Sequence, residues 1–400
     1  MMKKYYLLAA GLLLMLGSCS QDDIVDVNHD GDEIQFTAIT NSASRAAALY
    51  DSNHLPSAFN VSAISGGKNY ISDDVYEKNE NGVWAGKSTP RYWPEAENAT
   101  VDFYARVGGD GKYVWNVEEG AASAKFVDYE VEGNVASQED LLYAVTTSAT
   151  KTKTPVALNF RHALSQIVFQ AKNSSQKIYV EIYGVRIDNV QNKGTFAFPS
   201  VTTTTQVKNP NDAVTDYDGK NAGQGTWSDK GGRTSYTVEF TDPIKLSSDG
   251  SNLDAVKPVT SDVPANAMVL LPQTTTAWDK AAAVTSSTGS CISVKCRVYN
   301  IAKGDGVYSE TNDEQLIWGS EDAKGAWLAI PAAFDWAQGK KYIYTLIFGK
   351  GGGGYDPDDP NPDPEFVPIT FNVTVDDFLT GGNTDVDVDL PSSSDATEGE

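Results

Sequence analysis

The sequence predicts an all-β protein of two β-sandwich domains with a C-terminal strand extension. Short runs of alternating apolar and polar residues recur along the body, separated by Gly, Asn, Asp and Pro clusters. The chain is rich in Thr, Val, Tyr, Ser and Gly, the residues of strands and tight turns, and it has no long helical period. Its 400 residues suffice for two or three domains.

Residues 1–18 read as a secretory signal. Residues 1–4 (MMKK) are a short basic start carrying Lys3 and Lys4, residues 5–16 (YYLLAAGLLLML) are unbroken apolar, and Leu16-Gly17-Ser18 places small residues before a cut. The run is too short to span a bilayer, which takes about 20 apolar residues. Cys19 follows directly and is the only cysteine before Cys291. The Leu-Gly-Ser-Cys run resembles a bacterial lipobox, which would make Cys19 diacylated and the mature N-terminus. Asp22 and Asp23 then resemble a surface-export signal of Bacteroidetes-type lipoproteins; the alternative is a solvated tether.

Residues 19–45 form a pro-segment that carries the first strand. Ile34, Phe36 and Ala38 alternate with Gln35 and Thr37, the pattern of a half-buried strand. Arg45 lies in NSASRAAAL, a run of small residues suited to an exposed and cleavable loop, with Ala46 as the new N-terminus. Arg233, in GGRTS, is the rival site. Arg91, Arg106, Arg161, Arg186 and Arg297 abut strand-like or aromatic residues instead.

Strand-like runs then follow at 59–64, 101–107, 141–145, 165–172, 177–187, 234–240, 268–271, 292–301, 327–330 and 342–348. Asn173-Ser174-Ser175 divides them into an N-terminal sandwich, 46–174, and a C-terminal one, 175–349. Residues 332–340 read as a short helix or a turn. Residues 350–365 read as a linker: four glycines at 351–354, then DPDDPNPDPE at 356–365. Four prolines among those ten residues favour an extended spacer, roughly 30 Å long at about 3.1 Å per residue.

Residues 366–390 carry the terminal strands. Ile369, Phe371, Val373 and Val375 fall on one face, and Thr370, Asn372, Thr374 and Asp376 on the other. Val386, Val388 and Leu390 alternate with Asp385, Asp387 and Asp389 in a second run, and residues 391–400 are an acidic tail. A strand of this kind is not stable alone in water, so it pairs with its own body or with a neighbour.

Charge and cysteine usage narrow the function. The formal net charge is −23, and loss of Lys3 and Lys4 with residues 1–18 takes it to −25. This opposes a nucleic-acid partner, whose phosphates require Lys and Arg, and opposes adsorption to anionic lipid. Cys291 and Cys296, five apart in a strand-like run, point to opposite faces and read as two small apolar residues.

At this point the chain resembles the fimbrillin family, the type V pilus subunits of Bacteroidetes-type bacteria. The residues that carry the resemblance are the LGSC run, 34–39 followed by Ser44-Arg45-Ala46-Ala47, and Arg91-Tyr92-Trp93-Pro94 before VDFYARV. Leu141-Leu142-Tyr143-Ala144, 156–172 (VALNFRHALSQIVFQAK), Leu270-Leu271-Pro272-Gln273 and the terminal strand complete it. The resemblance implies two transthyretin-like, Greek-key sandwiches and a lipid-anchored precursor in the outer membrane that becomes an extracellular fimbria. It implies an Arg-specific or trypsin-like protease cutting between Arg45 and Ala46. It implies a displaced strand at Ile34, Phe36 and Ala38, and a donor strand at Ile369, Phe371, Val373 and Val375 from another fimbrillin subunit, of the same or a different kind. A chain with both groove and tail suits a stalk role. The competing readings are a tip or surface lipoprotein adhesin for a host protein or glycan, drawing on 8 Trp and 19 Tyr, and a lipid-retained anchor.

No enzyme, metal or cofactor is expected beyond the lipid on Cys19. The three histidines are His29, His54 and His162, none in H-E-x-x-H, and no G-x-S-x-G occurs. His162 reads as a packed structural residue. Asp26, Asn28, Asp30 and Gly31 open like a calcium loop, but its twelfth position is Thr37, not the Glu that the ion requires.

Overall fold

The computed structural model describes residues 32–40, 55–121, 123–203, 224–247, 254–260, 267–301, 308, 314–320, 324–365 and 367–377. Their strands, in chain order, are β1 (Phe36–Thr40), β2 (Ala58–Ser65), β3 (Lys68–Lys78), β4 (Trp84–Gly86), β5 (Thr100–Val107), β6 (Val114–Glu118) and β7 (Ser123–Glu130). Next come β8 (Leu142–Thr150), β9 (Val156–His162), β10 (Ser165–Asn173), β11 (Ile178–Val190), β12 (Lys193–Ala197), β13 (Thr226–Gly231) and β14 (Thr234–Leu246). The last are β15 (Lys257–Pro258), β16 (Met268–Leu270), β17 (Cys291–Asn300), β18 (Gln315–Trp318), β19 (Ala326–Pro331), β20 (Lys340–Phe348) and β21 (Ile369–Asp377). The protein is all-β as expected, and residues 332–339 are an irregular connection that ends in a turn at 338–339, with no α-helix.

The N-terminal strands close in the order β1-β4-β3-β2-β5-β8-β9. β1 is what closes them. It pairs with β9 on one side and meets β4 on the other, so the two faces of the expected sandwich join into one barrel. Apolar side chains at every second position of these strands fill it, with Phe36, Phe59, Tyr76, Trp84, Trp93, Phe103 and Phe160 among the buried residues.

Two further sheets face each other across a shared core. One runs β15-β10-β20-β21, with β16 also on β10; the other runs β14-β11-β17-β18, with β19 also on β17. Phe169 and Leu346 of the first sheet pack in the same cluster as Val180, Ile182, Val294 and Leu328 of the second. β10 pairs in parallel with β20 from Gln166↔Lys341 to Asn173↔Phe348. The strands on both sides of Asn173, β10 and β11, therefore belong to this second pair of sheets.

A fourth sheet, β13-β12-β7-β6, joins the two bodies. β6 and β7 are inserted between two barrel strands, and β12 and β13 between two sandwich strands. They meet antiparallel, with Gly194 opposite Tyr129 and Phe196 opposite Phe126. A bare glycine suits position 194, since a Cβ there would come within 3.1 Å of the Trp227 ring.

Candidate functional site

β1 joins deeply buried apolar side chains to a one-sided backbone pairing. Ile34 and Phe36 are fully buried and Ala38 is 7% exposed. The Phe36 ring lies edge-on to Tyr76 at 4.8 Å, Phe103 at 5.2 Å and Phe59 at 6.1 Å. Burying Ile34 and Phe36 contributes about 1.5–3 kcal/mol each. The backbone runs parallel to β9 from Phe36↔Val156 to Thr40↔Phe160, and the Val156 N–H donates to the Gln35 carbonyl at 2.8 Å. On the β4 side a single pair is made, Phe36↔Trp84.

A clasp upstream completes the hold. The Ile34 N–H donates to the Arg91 carbonyl at 2.7 Å, and the Trp93 N–H to the Asp32 carbonyl at 3.2 Å. Arg91 is fixed in turn by Asp74, with Nε 2.6 Å from Oδ2. The RYWP run singled out in the sequence thus sits against the first strand. Its role as a clasp was not read from the sequence, because it depends on a pairing across almost sixty residues.

β21 is self-paired. It lies antiparallel on β20 over its whole length, from Lys340↔Asp377 to Phe348↔Ile369. Among the described residues nothing pairs with its other edge. Ile369 is buried, while Phe371, Val373 and Val375 are half-buried against the sandwich core, with the Phe371 ring 5.8 Å from that of Tyr344. Of the two options the sequence left open, pairing with its own body is the one observed. The second run, at Val386, Val388 and Leu390, lies outside the described residues.

The expected extended spacer before β21 is corrected by the structure. Residues 354–365 form a closed loop: the Glu365 N–H donates to the Gly354 carbonyl at 2.8 Å, and the Gly354 N–H to that of Val367 at 3.2 Å. Tyr355 and Ala329 exchange two backbone hydrogen bonds at 2.8 and 2.9 Å, and the Val284 N–H donates to the Pro357 carbonyl at 2.9 Å. These bonds tie the loop to the body. Crowding has a titration consequence: partial burial, with Asp356, Asp359 and Asp363 nearby, raises the Glu365 carboxyl above its ordinary range. Gly349, Gly351 and Gly353 hold φ of 86°, 103° and 95°, a region that favours glycine, as the chain turns out of β20.

Cys19, Arg45, Ala46 and the calcium-like run at 26–31 lie outside the described residues. Arg233 is exposed, but its Nη1 donates to the carbonyls of Asn189 at 3.0 Å and Thr288 at 2.7 Å. Cys291 and Cys296 are free and buried in different clusters, and burial pushes both thiols up. His162 is buried, with Nδ1 2.6 Å from Asp140 Oδ2. No metal-holding group of acids, His or Cys occurs among the described residues, and no described helix is long and apolar enough to cross a membrane. The large apolar side chains most exposed there are Val114, Val201, Val256 and Ile317, with no Trp or Tyr among them.

No curated protein matches the chain. Solved structures similar to it include a candidate cell adhesion protein from Bacteroides uniformis, at 16% identity over 88% of this chain and 99% of that one, with a TM-score of 0.39. Another, from Parabacteroides distasonis, is 12% identical over 86% of this chain and 99% of that one, with a TM-score of 0.42. A third, from Bacteroides ovatus, is 12% identical over 88% and 99%, with a TM-score of 0.41. A family model described as fimbrillin-like matches residues 25–377, most of the sequence, and the chain belongs to the fimbrillin-like family.

Proposed function

We propose that this chain is a pilus stalk subunit that polymerises by strand exchange after proteolysis. It is exported to the cell surface as a lipoprotein on Cys19. A protease with trypsin-like specificity cuts after Arg45, and the segment holding Ile34, Phe36 and Ala38 leaves. The barrel then has an unpaired edge on β9 and open apolar positions beside Tyr76, Phe59 and Phe103. An added strand satisfies both at once, through main-chain hydrogen bonds and alternate side chains. The contact runs from one subunit's tail to another's slot, so it is open-ended and builds a filament.

The observation that supports this reading most is the asymmetry of β1. Its side chains sit at the centre of the barrel core, yet its backbone rests on one ladder, one bridge and a clasp. The half-buried β21 supplies a tail of suitable pattern. The competing adhesin reading needs exposed aromatic platforms, and the Trp and Tyr side chains described are mostly packed, Trp84, Trp93 and Trp278 fully.

The test is to treat the exported chain with dilute trypsin and compare wild type, Arg45→Ala and a chain ending at Glu365. A new N-terminus at Ala46, with detergent-resistant ladders that need both Arg45 and residues 366–400, supports the reading. A chain cut at Ala46 that stays monomeric moves the protein to a tip or glycan-binding role.

A further inference from the structure

The clasp lies at the end of β1 away from the expected cut. Asp32 and Ile34 make its two backbone hydrogen bonds, with Trp93 and Arg91, and Glu33 bridges Tyr92 antiparallel between them. The ladder on β9 runs from Phe36 to Thr40, and Thr40 is five positions before Arg45. Every contact described for residues 32–40 is therefore upstream of the Arg45–Ala46 bond. Hydrolysis of that bond breaks none of them.

Resting on the strand-exchange reading, we propose that the cut leaves the first strand in place as a noncovalent plug, and that the Arg91–Trp93 clasp is the latch that retains it. Processing and assembly are then separate steps. The cut makes the plug replaceable, and an incoming strand has to displace it.

The clasp is held independently of the strand it grips. Asp74 and Tyr70, both on β3, fasten it from the barrel side: the Arg91 Nε lies 2.6 Å from Asp74 Oδ2, and the Tyr70 hydroxyl donates to the Tyr92 carbonyl. The Trp93 ring is buried, edge-on to that of Phe103 at 5.9 Å. The Arg91 carbonyl and the Trp93 N–H are thus presented at fixed places, which lowers the ordering cost of gripping the segment.

The anchors are uneven along the strand, and this sets the order of release. Ile34 and Phe36 are fully buried at the clasp end, whereas the cut end has the small Ala38. Fraying starts at Thr40, and the clasp opens last. Before the cut, the chain that continues into β2 tethers a frayed end, so it returns at high effective concentration. After the cut that tether is gone, and retention falls to the clasp, the ladder and the two buried side chains. On a chain lipidated at Cys19, the plug also keeps the cut subunit at the membrane until exchange.

The test follows the segment after the cut. Full-length chain is treated with an arginine-specific protease, the protease is quenched, and the fragment ending at Arg45 is tracked by mass in the gel-filtration peak of the body. Wild type is compared with Asp74→Ala and Tyr70→Phe, neither of which touches the β1–β9 ladder; denaturant midpoints of the uncut chains check the fold. The expected result is co-elution of fragment and body in dilute wild type, with loss that speeds up as the concentration of cut chain rises. Either variant should lose the fragment at least fivefold faster in dilute solution. Immediate loss from dilute wild type overturns the plug. Equal retention in wild type and both variants overturns the clasp as latch. Retention that depends on the clasp but not on concentration, with no filaments formed, overturns the strand-exchange reading and leaves the plug standing. A chain that the protease leaves uncut at Arg45 overturns both.

Discussion

The Phe36 and Tyr76 rings meet edge to face, with centroids 4.8 Å apart and both residues fully buried. Phe36 belongs to the segment upstream of Arg45 and Tyr76 to the barrel that would remain after a cut there. Replacing Phe36 by Ala in the uncleaved chain should therefore cost about 3–5 kcal/mol, read as a lower denaturant midpoint. In trypsin-processed filaments the same substitution should change nothing, since residue 36 is gone. An equal loss in both forms would place β1 in the filament.

The composite sheet couples the barrel to the sandwich. Phe126 of β7 lies 5.9 Å from Phe196 of β12, 4.9 Å from Phe198 and 5.6 Å from Trp115. Phe126→Ala should lower stability by about 3–5 kcal/mol. Probes placed in the barrel and in the sandwich should report one shared unfolding midpoint in wild type. Two well-separated wild-type midpoints would show that the brace does not couple them.

Gly354 is buried, and a Cβ there would stand 2.4 Å from Leu328 Cγ. Gly354→Val should loosen the closed loop at a cost of about 1–3 kcal/mol. The expected outcome is faster proteolysis within 355–365 and faster hydrogen exchange along β21, with the β1–β9 ladder unaffected. Unchanged exchange in β21 would mean the loop does not help hold the tail.

Alkaline pH should destabilise the fold. Burial, above all, pushes the hydroxyls of Tyr104 and Tyr113 up to about 12, from an ordinary value of 10.0. The folded state thus holds these protons longer than the unfolded chain. Their contribution is complete below pH 10 and is lost as pH rises through 12. Denaturant midpoints should fall between pH 9.5 and 12 (about the tyrosine range,), and a flat profile would contradict the assignment.

Regular alternation made much of this fold legible. FNVSAI, VDFYARV and ITFNVTV each keep one face apolar, and each is a strand in the structure. β3 escaped because Asp73, at φ 58°, accompanies an irregular register with β2 that breaks the period. β6, β7, β12 and β13 are short and polar on one face, and their sheet exists only once two distant insertions meet. The linker was misread for a related reason. Its prolines speak locally for extension, while its closure depends on Ala329 and Val284, far away in sequence. For the site, the inward faces of β1 and β21 were visible in the pattern. The parallel partner β9 and the Arg91–Trp93 clasp were not, since long-range pairing leaves no local signature.

The most direct test of the central claim is a reconstruction of trypsin-processed filaments at a resolution that traces the backbone beside β9. The strand there should connect through residues 349–368 to β20 of a neighbouring subunit. A strand in that place that traces to the same copy's own residues 32–40 would contradict the account.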